Sequence, residues 1–356
     1  MLNSYPPKPL HRLIGAAALY CLGALAWPQS LTADQTANAA LPAVINEASG
    51  LTASLRHPDI YWTHNDNTDL PASSRKSQPL VFAIDESGQL RATLTLAGVN
   101  QRDWEAITEA NISGIPTLII GDIGDNRGTW PDYRLWFIPE PTLLTPKATV
   151  PPSGLLRFRY PDQIQKNPHQ TDQQTHHQGS WSGGHDAEAM VFDPRAQELL
   201  ILTKREKPAR LFAVPLSARI SLKNAATDSF SQQIRQAPVI TAHFITNLPP
   251  LPAPDFISWL LHPFVSPYAD QPTDMALSPS GDQLAVLTYS ALFFFQRAPG
   301  ERWQAALAKP VRSVALPFID QWEGLSYSPD GKKLLIVREG TGADTLLHLP
   351  VPGVTE

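Results

Sequence analysis

Cysteine is nearly absent: Cys21 is the only one in 356 residues, and it lies inside an apolar stretch near the N-terminus. Intrachain disulfides are excluded, and with them thiolate metal sites and cysteine nucleophiles in the body of the chain. A basic excess is lacking too. Lys and Arg number 28 against 33 Asp and Glu, so nothing draws the chain to nucleic acid, and no polybasic patch marks an anionic membrane surface. The one long apolar run, "LIGAAALYCLGALAW" (13–27), is short of the ~20 residues of a membrane span. There is no HExxH zinc helix, no G-x-S-x-G nucleophile elbow, and no lysine or helix start after "GDIGDN" to make a phosphate loop.

What is present points to short strands. Charged residues make up 17% of the chain, prolines number 35, and 42% of residues are hydrophobic, a balance that suits strands and turns better than long solvated helices. Lys8, His11 and Arg12 precede the apolar run, and "ANA" (37–39) offers a small-x-small cleavage site. The expected organisation is a signal peptide over 1–39 and a single domain over 40–356, exported to the periplasm or secreted, monomeric, with no membrane span in the mature chain. An uncleaved N-terminal anchor is the competing reading. Tyr20 before Cys21 argues against lipidation.

Self-similarity organises the rest. "NEASGLTAS" (46–54), "DWEAITEA" (103–110), "DAEAMVFDP" (186–194), "TDMALSPSG" (273–281) and "WEGLSYSPDG" (322–331) each set an acidic residue before a small and then an apolar one. A second apolar strand follows each, ending in polar residues: "DIYWTHND", "TLIIGDIGDN", "ELLILTKRE", "QLAVLTYS" and "KLLIVREG". Third strands follow in all five units and fourth strands in four. The expected fold is an all-β propeller of four-stranded blades, five counted and a sixth conceivable within an insertion. The ring would close by pairing strands from the two ends, with "PAVIN" (42–46) completing the fifth blade. The plainer alternative is a β-sandwich with chance resemblance among its strands.

Two insertions interrupt the pattern, at about 162–185 and 249–272. The first is polar, and its His169, His176, His177 and His185 read as a solvated loop before they read as a metal site. The second is apolar and bounded by proline, with room for a short helix over "DFISWLLHPF" (255–264) that packs on a blade edge or meets a partner.

In a propeller the start of the first strand and the end of the second meet at one face, beside the channel. This gathers Glu47, Glu105, Glu188, Asp274 and Glu323 around one mouth, with Asn65, Asp66, Asp122, Asp125 and Asn126 close by. Carboxylates so crowded must be protonated, paired or bridged by a cation. These ten residues are the candidate metal ligands, and oxygen donors without thiolates suit calcium ahead of magnesium. A network of ion pairs that fixes blade register is the plain reading of the same residues. His64, Asp122, Lys204, Arg205 and Arg338 are the candidate catalytic groups, and Asp69 lies nearby.

Together "LRHPDIYWTHNDNTD", "DWEAI", "GDIGDN", "DAEAM" and "LTY" make the chain resemble a group of secreted bacterial β-propeller proteins of uncharacterised function. More remotely it is similar to esterase-like phytase and regucalcin/gluconolactonase propellers. That wider resemblance implies a calcium-type ion at the channel mouth serving phosphoester or lactone hydrolysis, and it transfers no catalytic residue. Two functions stay open: a metal-assisted hydrolase of a phosphoester, lactone or sugar-like substrate, and a non-catalytic envelope or secreted propeller that binds a small-molecule, envelope or protein ligand.

Overall fold

A computed structural model describes residues 29–30, 37–66, 79–165, 181–223, 228–251, 266–316 and 320–353. Residues 1–28, Asp69, His169, His176, His177 and the segment "DFISWLLHPF" lie outside the described residues. The strands form five four-stranded antiparallel blades. Blade 1 runs Ala48–Ala53, Ile60–Asn65, Leu80–Asp85 and Leu90–Leu96. Blade 2 runs Trp104–Ile112, Ile115–Asp122, Tyr133–Pro139 and Gly154–Arg159. Blade 3 runs Ala187–Asp193, Glu198–Thr203, Arg210–Pro215 and His243–Asn247. Blade 4 runs Pro272–Leu277, Gln283–Thr288, Ala291–Gln296 and Arg312–Ala315. Blade 5 takes Trp322–Tyr327, Lys333–Arg338 and Leu346–Pro350 from the end of the chain and Ala37–Ala39 from its beginning. Each first strand packs beside that of the next blade, and the fifth meets the first.

Packing explains why the second strands read as unbroken apolar runs. Every blade is covered on both sheet faces, so side chains of both parities are buried. In Glu198–Thr203, Leu199 and Ile201 pack toward blade 2 while Leu200 and Leu202 pack toward blade 4. Five hydrophobic clusters result, one at each junction between neighbouring blades, and the largest apolar residues fill them: Trp62, Trp104 and Trp136 between blades 1 and 2, Trp322 between blades 4 and 5. A buried ion pair latches blades 3 and 4, with Arg297 Nη1 and Nη2 donating to Asp193 at 2.6 and 2.8 Å and Trp303 Nε1 donating to the same carboxylate at 2.9 Å.

The ring closes from both ends as expected, but a different segment closes it. Residues 42–46 form turns and bends, and the strand is Ala37–Ala39, antiparallel to Leu346–His348. Asn38 Nδ2 donates to Asp344 Oδ1 at 2.8 Å, and Leu41 N to Thr345 Oγ1 at 2.6 Å. The reason is reach: after Ala39 the chain must turn from the outer edge of blade 5 to the axis, where Ala48 begins, and residues 42–46 are that turn. A cut after Ala39 would therefore take away the fourth strand of blade 5. Gln29–Ser30 adds a parallel strand to the edge of blade 4. Among the described residues no helix is long and apolar enough to cross a membrane.

Candidate functional site

Each first strand carries a register break near the start of its pairing, one residue in for blades 2 to 5 and two for blade 1. The displaced residues are Gly50, Glu105, Glu188, Thr273 and Glu323. A bulge bends the strand and re-aims one side chain, and here it does so five times around one mouth. Three of the five are glutamates. The expected ring of five equivalent carboxylates is corrected at two places, because the bulge shifts the alignment: Glu47 stands three residues before its blade's bulge, and Asp274 one residue after. Asp274 instead accepts from Met275 N at 2.8 Å and Leu325 N at 2.6 Å, joining blade 4 to blade 5 inside the core. Blade 1 has glycine at the bulge for a steric reason. Gly50 sits at φ +72°, and a Cβ there would lie 2.8 Å from Ile107 N.

A smaller cluster lies between blades 1 and 2. Asp66, Asp103 and Glu105 each bring a carboxylate oxygen within 4.8 Å of the others. Asp103 and Glu105 are buried, and among the described residues Asp103 Oδ1 has no hydrogen-bond partner. Burial raises the Asp103 carboxyl to about 8, helped by the charges of Asp66, Asp186, Asp122 and Glu188. Glu105 is pushed well above its ordinary range by burial and then by Asp66 and Glu188. Gly124 closes over the pair, and a Cβ there would stand 2.6 Å from both Asp103 Oδ2 and Glu105 Oε1. Two further buried oxygens nearby, Gln101 Oε1 and Glu188 Oε2, also lack a partner among the described residues.

Ion pairs neutralise the remainder of the mouth. Lys204 Nζ bonds Glu188, and its ammonium lies 5.2 Å from the Tyr289 ring, whose hydroxyl donates to Glu323 Oε1 at 3.0 Å. Burial would lower Lys204, but Glu188, Tyr289, Glu323 and Glu105 hold it well above the usual lysine value. Arg205 Nε donates to Asp186 Oδ2 at 2.5 Å, and the same guanidinium bonds Asn126 Oδ1.

Several candidate ligands have structural work instead. Asp122 accepts from Arg102 Nε and Asp103 N, both at 2.8 Å, and so fixes the turn into blade 2. Asp125 accepts from Thr129 N, Trp130 N and the Tyr133 hydroxyl at 3.1, 2.9 and 3.0 Å, capping its own loop. Asn65 accepts from Glu47 N and donates to Val44 O. Of the candidate catalytic groups, His64 is fully buried edge-on to Trp104, 5.7 Å between ring centres, and burial lowers it to about 4. Arg338 donates to Asp344 O and Glu339 O and pairs with Asp320 at 3.1 Å. His185, from the polar insertion, bonds Glu206 through Nδ1 and packs against Tyr160.

Asp103, Asp186 and Gln101 escaped the reading of the sequence. The signal was there: Asp103 and Asp186 stand two residues before Glu105 and Glu188, so "DWEA" and "DAEA" repeat an Asp-x-Glu-Ala pattern in adjacent blades.

Neither a family model nor a curated protein sequence matches the chain. Among solved structures it is similar to one from a nidogen/laminin complex, at 9% identity and a TM-score of 0.38, over 83% of this chain and 73% of that one. It is also similar to the β-propeller domain of Cps50 (Swd1) from Myceliophteria thermophila, at 12% identity and a TM-score of 0.35, over 86% of this chain and 97% of that one.

Proposed function

We propose that the mouth between blades 1 and 2 binds a divalent cation, calcium ahead of magnesium, through Asp66, Asp103 and Glu105. In this reading the protein is an exported, cation-dependent propeller that binds a ligand at that face. The observation that carries it is Asp103 Oδ1, a buried oxygen that meets no hydrogen-bond donor among the described residues, in a cluster of three carboxylates. A buried acceptor left open costs about 1–3 kcal/mol, and a hard cation offsets both that cost and the repulsion among the three groups. Oxygen-only donors fit calcium's flexible geometry better than magnesium's strict octahedron.

Elemental analysis of the purified protein and melting with and without chelator test this directly. The expected result is one tightly held ion per chain, with a melting temperature that falls on chelation. An ion held at a hundred times its Kd contributes about 2.7 kcal/mol. Asp103→Asn should remove both the ion and the chelator effect. A wild-type protein with neither would leave an ion-pair network alone as the role of these residues.

The hydrolase reading keeps one supporting observation. Arg205 is 44% exposed at the solvent edge of the carboxylate cluster, where its planar fork suits a phosphate or carboxylate group of a substrate held by the cation. Assays with calcium or magnesium on esters, phosphoesters and lactones decide it. Turnover lost in Arg205→Gln with unchanged melting supports hydrolysis, and no turnover across the panel leaves ligand binding.

A further inference from the structure

The channel also opens at the opposite face, where the first strands end. There a cavity of about 340 Å³ lies on the axis and takes lining residues from all five blades, a size at the lower end of small-molecule pockets. Leu51, Ile107, Val191, Met275 and Leu325 give it a predominantly apolar wall. One carboxyl enters that lining, Glu109, on the same side of its strand as Ile107, which packs toward blade 1. Its neighbour Glu140 is already engaged, with Oε1 accepting from Trp62 Nε1 at 2.8 Å and from the Ser54 hydroxyl. Among the described residues no basic side chain pairs with either carboxyl, although the described chain forms many ion pairs elsewhere.

We propose that this cavity binds a small organic cation, an alkyl ammonium whose charged head pairs with Glu109 and whose carbon chain packs on Leu51, Met275 and Leu325. The walls favour an apolar body, and the single unpaired carboxyl selects the sign of the head. An anion is disfavoured because both carboxyls at this end repel it, and a bare metal ion because only one carboxylate enters the wall, its other side-chain oxygens being neutral hydroxyls and an amide. Burial and the charge of Glu140 raise Glu109 to about 7, so in an empty pocket the group is about half protonated at neutral pH, and an entering cation favours its ionised form. The site is independent of the acidic mouth, since it occupies the other end of the channel and uses none of the same residues.

Titration calorimetry at pH 8 with n-butylammonium, n-butanol and butyrate as probes tests the proposal on the unmodified protein. The ammonium should bind, while the isosteric alcohol and acid bind at least tenfold more weakly. Chelator should leave the ammonium affinity unchanged, which separates this site from the cation mouth. In Glu109→Gln, shown to be folded by circular dichroism and melting, affinity for n-butylammonium should fall at least tenfold. Equal binding of the three probes, no binding of the ammonium, or unaltered affinity in a folded Glu109→Gln would each overturn the proposal. Should Glu109→Gln not fold, the ranking of the three probes on the wild-type protein decides alone.

Discussion

At the scale of single residues, the site depends on what is missing from Gly124 as much as on what its neighbours carry. Two carboxylate oxygens occupy the space its Cβ would need. Gly124→Ala is expected to cost about 1–3 kcal/mol through overpacking and to weaken calcium binding in the same protein. Chemical denaturation with and without calcium measures both. His64 provides a pH prediction. Its pKa is lowered to about 4 by burial, below the unfolded value of about 6.5. The unfolded chain therefore binds the extra proton first, and stability falls as pH drops from about 6.5 to 4, by about 3 kcal/mol at 1.36 kcal/mol per unit. Subtracting the stability profile of a folded His64→Gln variant from that of the wild type should isolate this slope; a flat difference would contradict it. Residue identity was readable in the sequence where a side chain was unusual for its strand. It was unreadable where the role came from a partner: nothing in "GDIGDN" says that Asp122 is committed to Arg102, or that Asp125 caps a loop.

Elements obey a different logic, because a blade is stable only between two others. The Asp193–Arg297 pair spans the junction of blades 3 and 4 and is almost fully buried. Burial opposes ionisation of Asp193, yet Arg297, Arg195 N and Trp303 hold its carboxyl below the usual range. Arg297→Met should cost about 3–5 kcal/mol by stranding a buried charge, while Asp193→Leu with Arg297→Met should cost far less. Melting of the two variants side by side distinguishes these outcomes. Strands were legible for a plain reason: burial on both faces writes "ELLILT" and "QLAVLT" as continuous apolar runs bounded by turn residues. Bulges were not legible. One extra residue leaves composition and periodicity almost unchanged, so Glu47 and Asp274 aligned with Glu105 in sequence while the backbone set them elsewhere. The closing strand was hidden for another reason, since "ANA" is too short and too small to announce a strand, and only its partner Leu346–His348 makes it one.

For the molecule as a whole, closure is the property to perturb. A chain beginning at Gln29 keeps Ala37–Ala39 and should melt as one cooperative unit. One beginning at Ala40 lacks the fourth strand of blade 5 and leaves the edge of Leu346–Pro350 unpaired. The shorter chain is expected to melt at a lower temperature and to self-associate through that edge, which calorimetry and light scattering would show. Equal melting of both would mean the clasp contributes nothing. The same arrangement sets a schedule for biosynthesis. Ala37–Ala39 leaves the ribosome long before its partner strand exists, and at 5–20 residues per second the wait is roughly 15–60 s. Until blade 5 is made, blade 1 and, once it is synthesised, blade 4 present apolar faces with no neighbour, Leu51, Tyr61 and Phe82 on one side and Leu287, Phe294 and Val314 on the other. The ring is most exposed to misassembly while it is being made, and its last blade ends that exposure at both faces in one step.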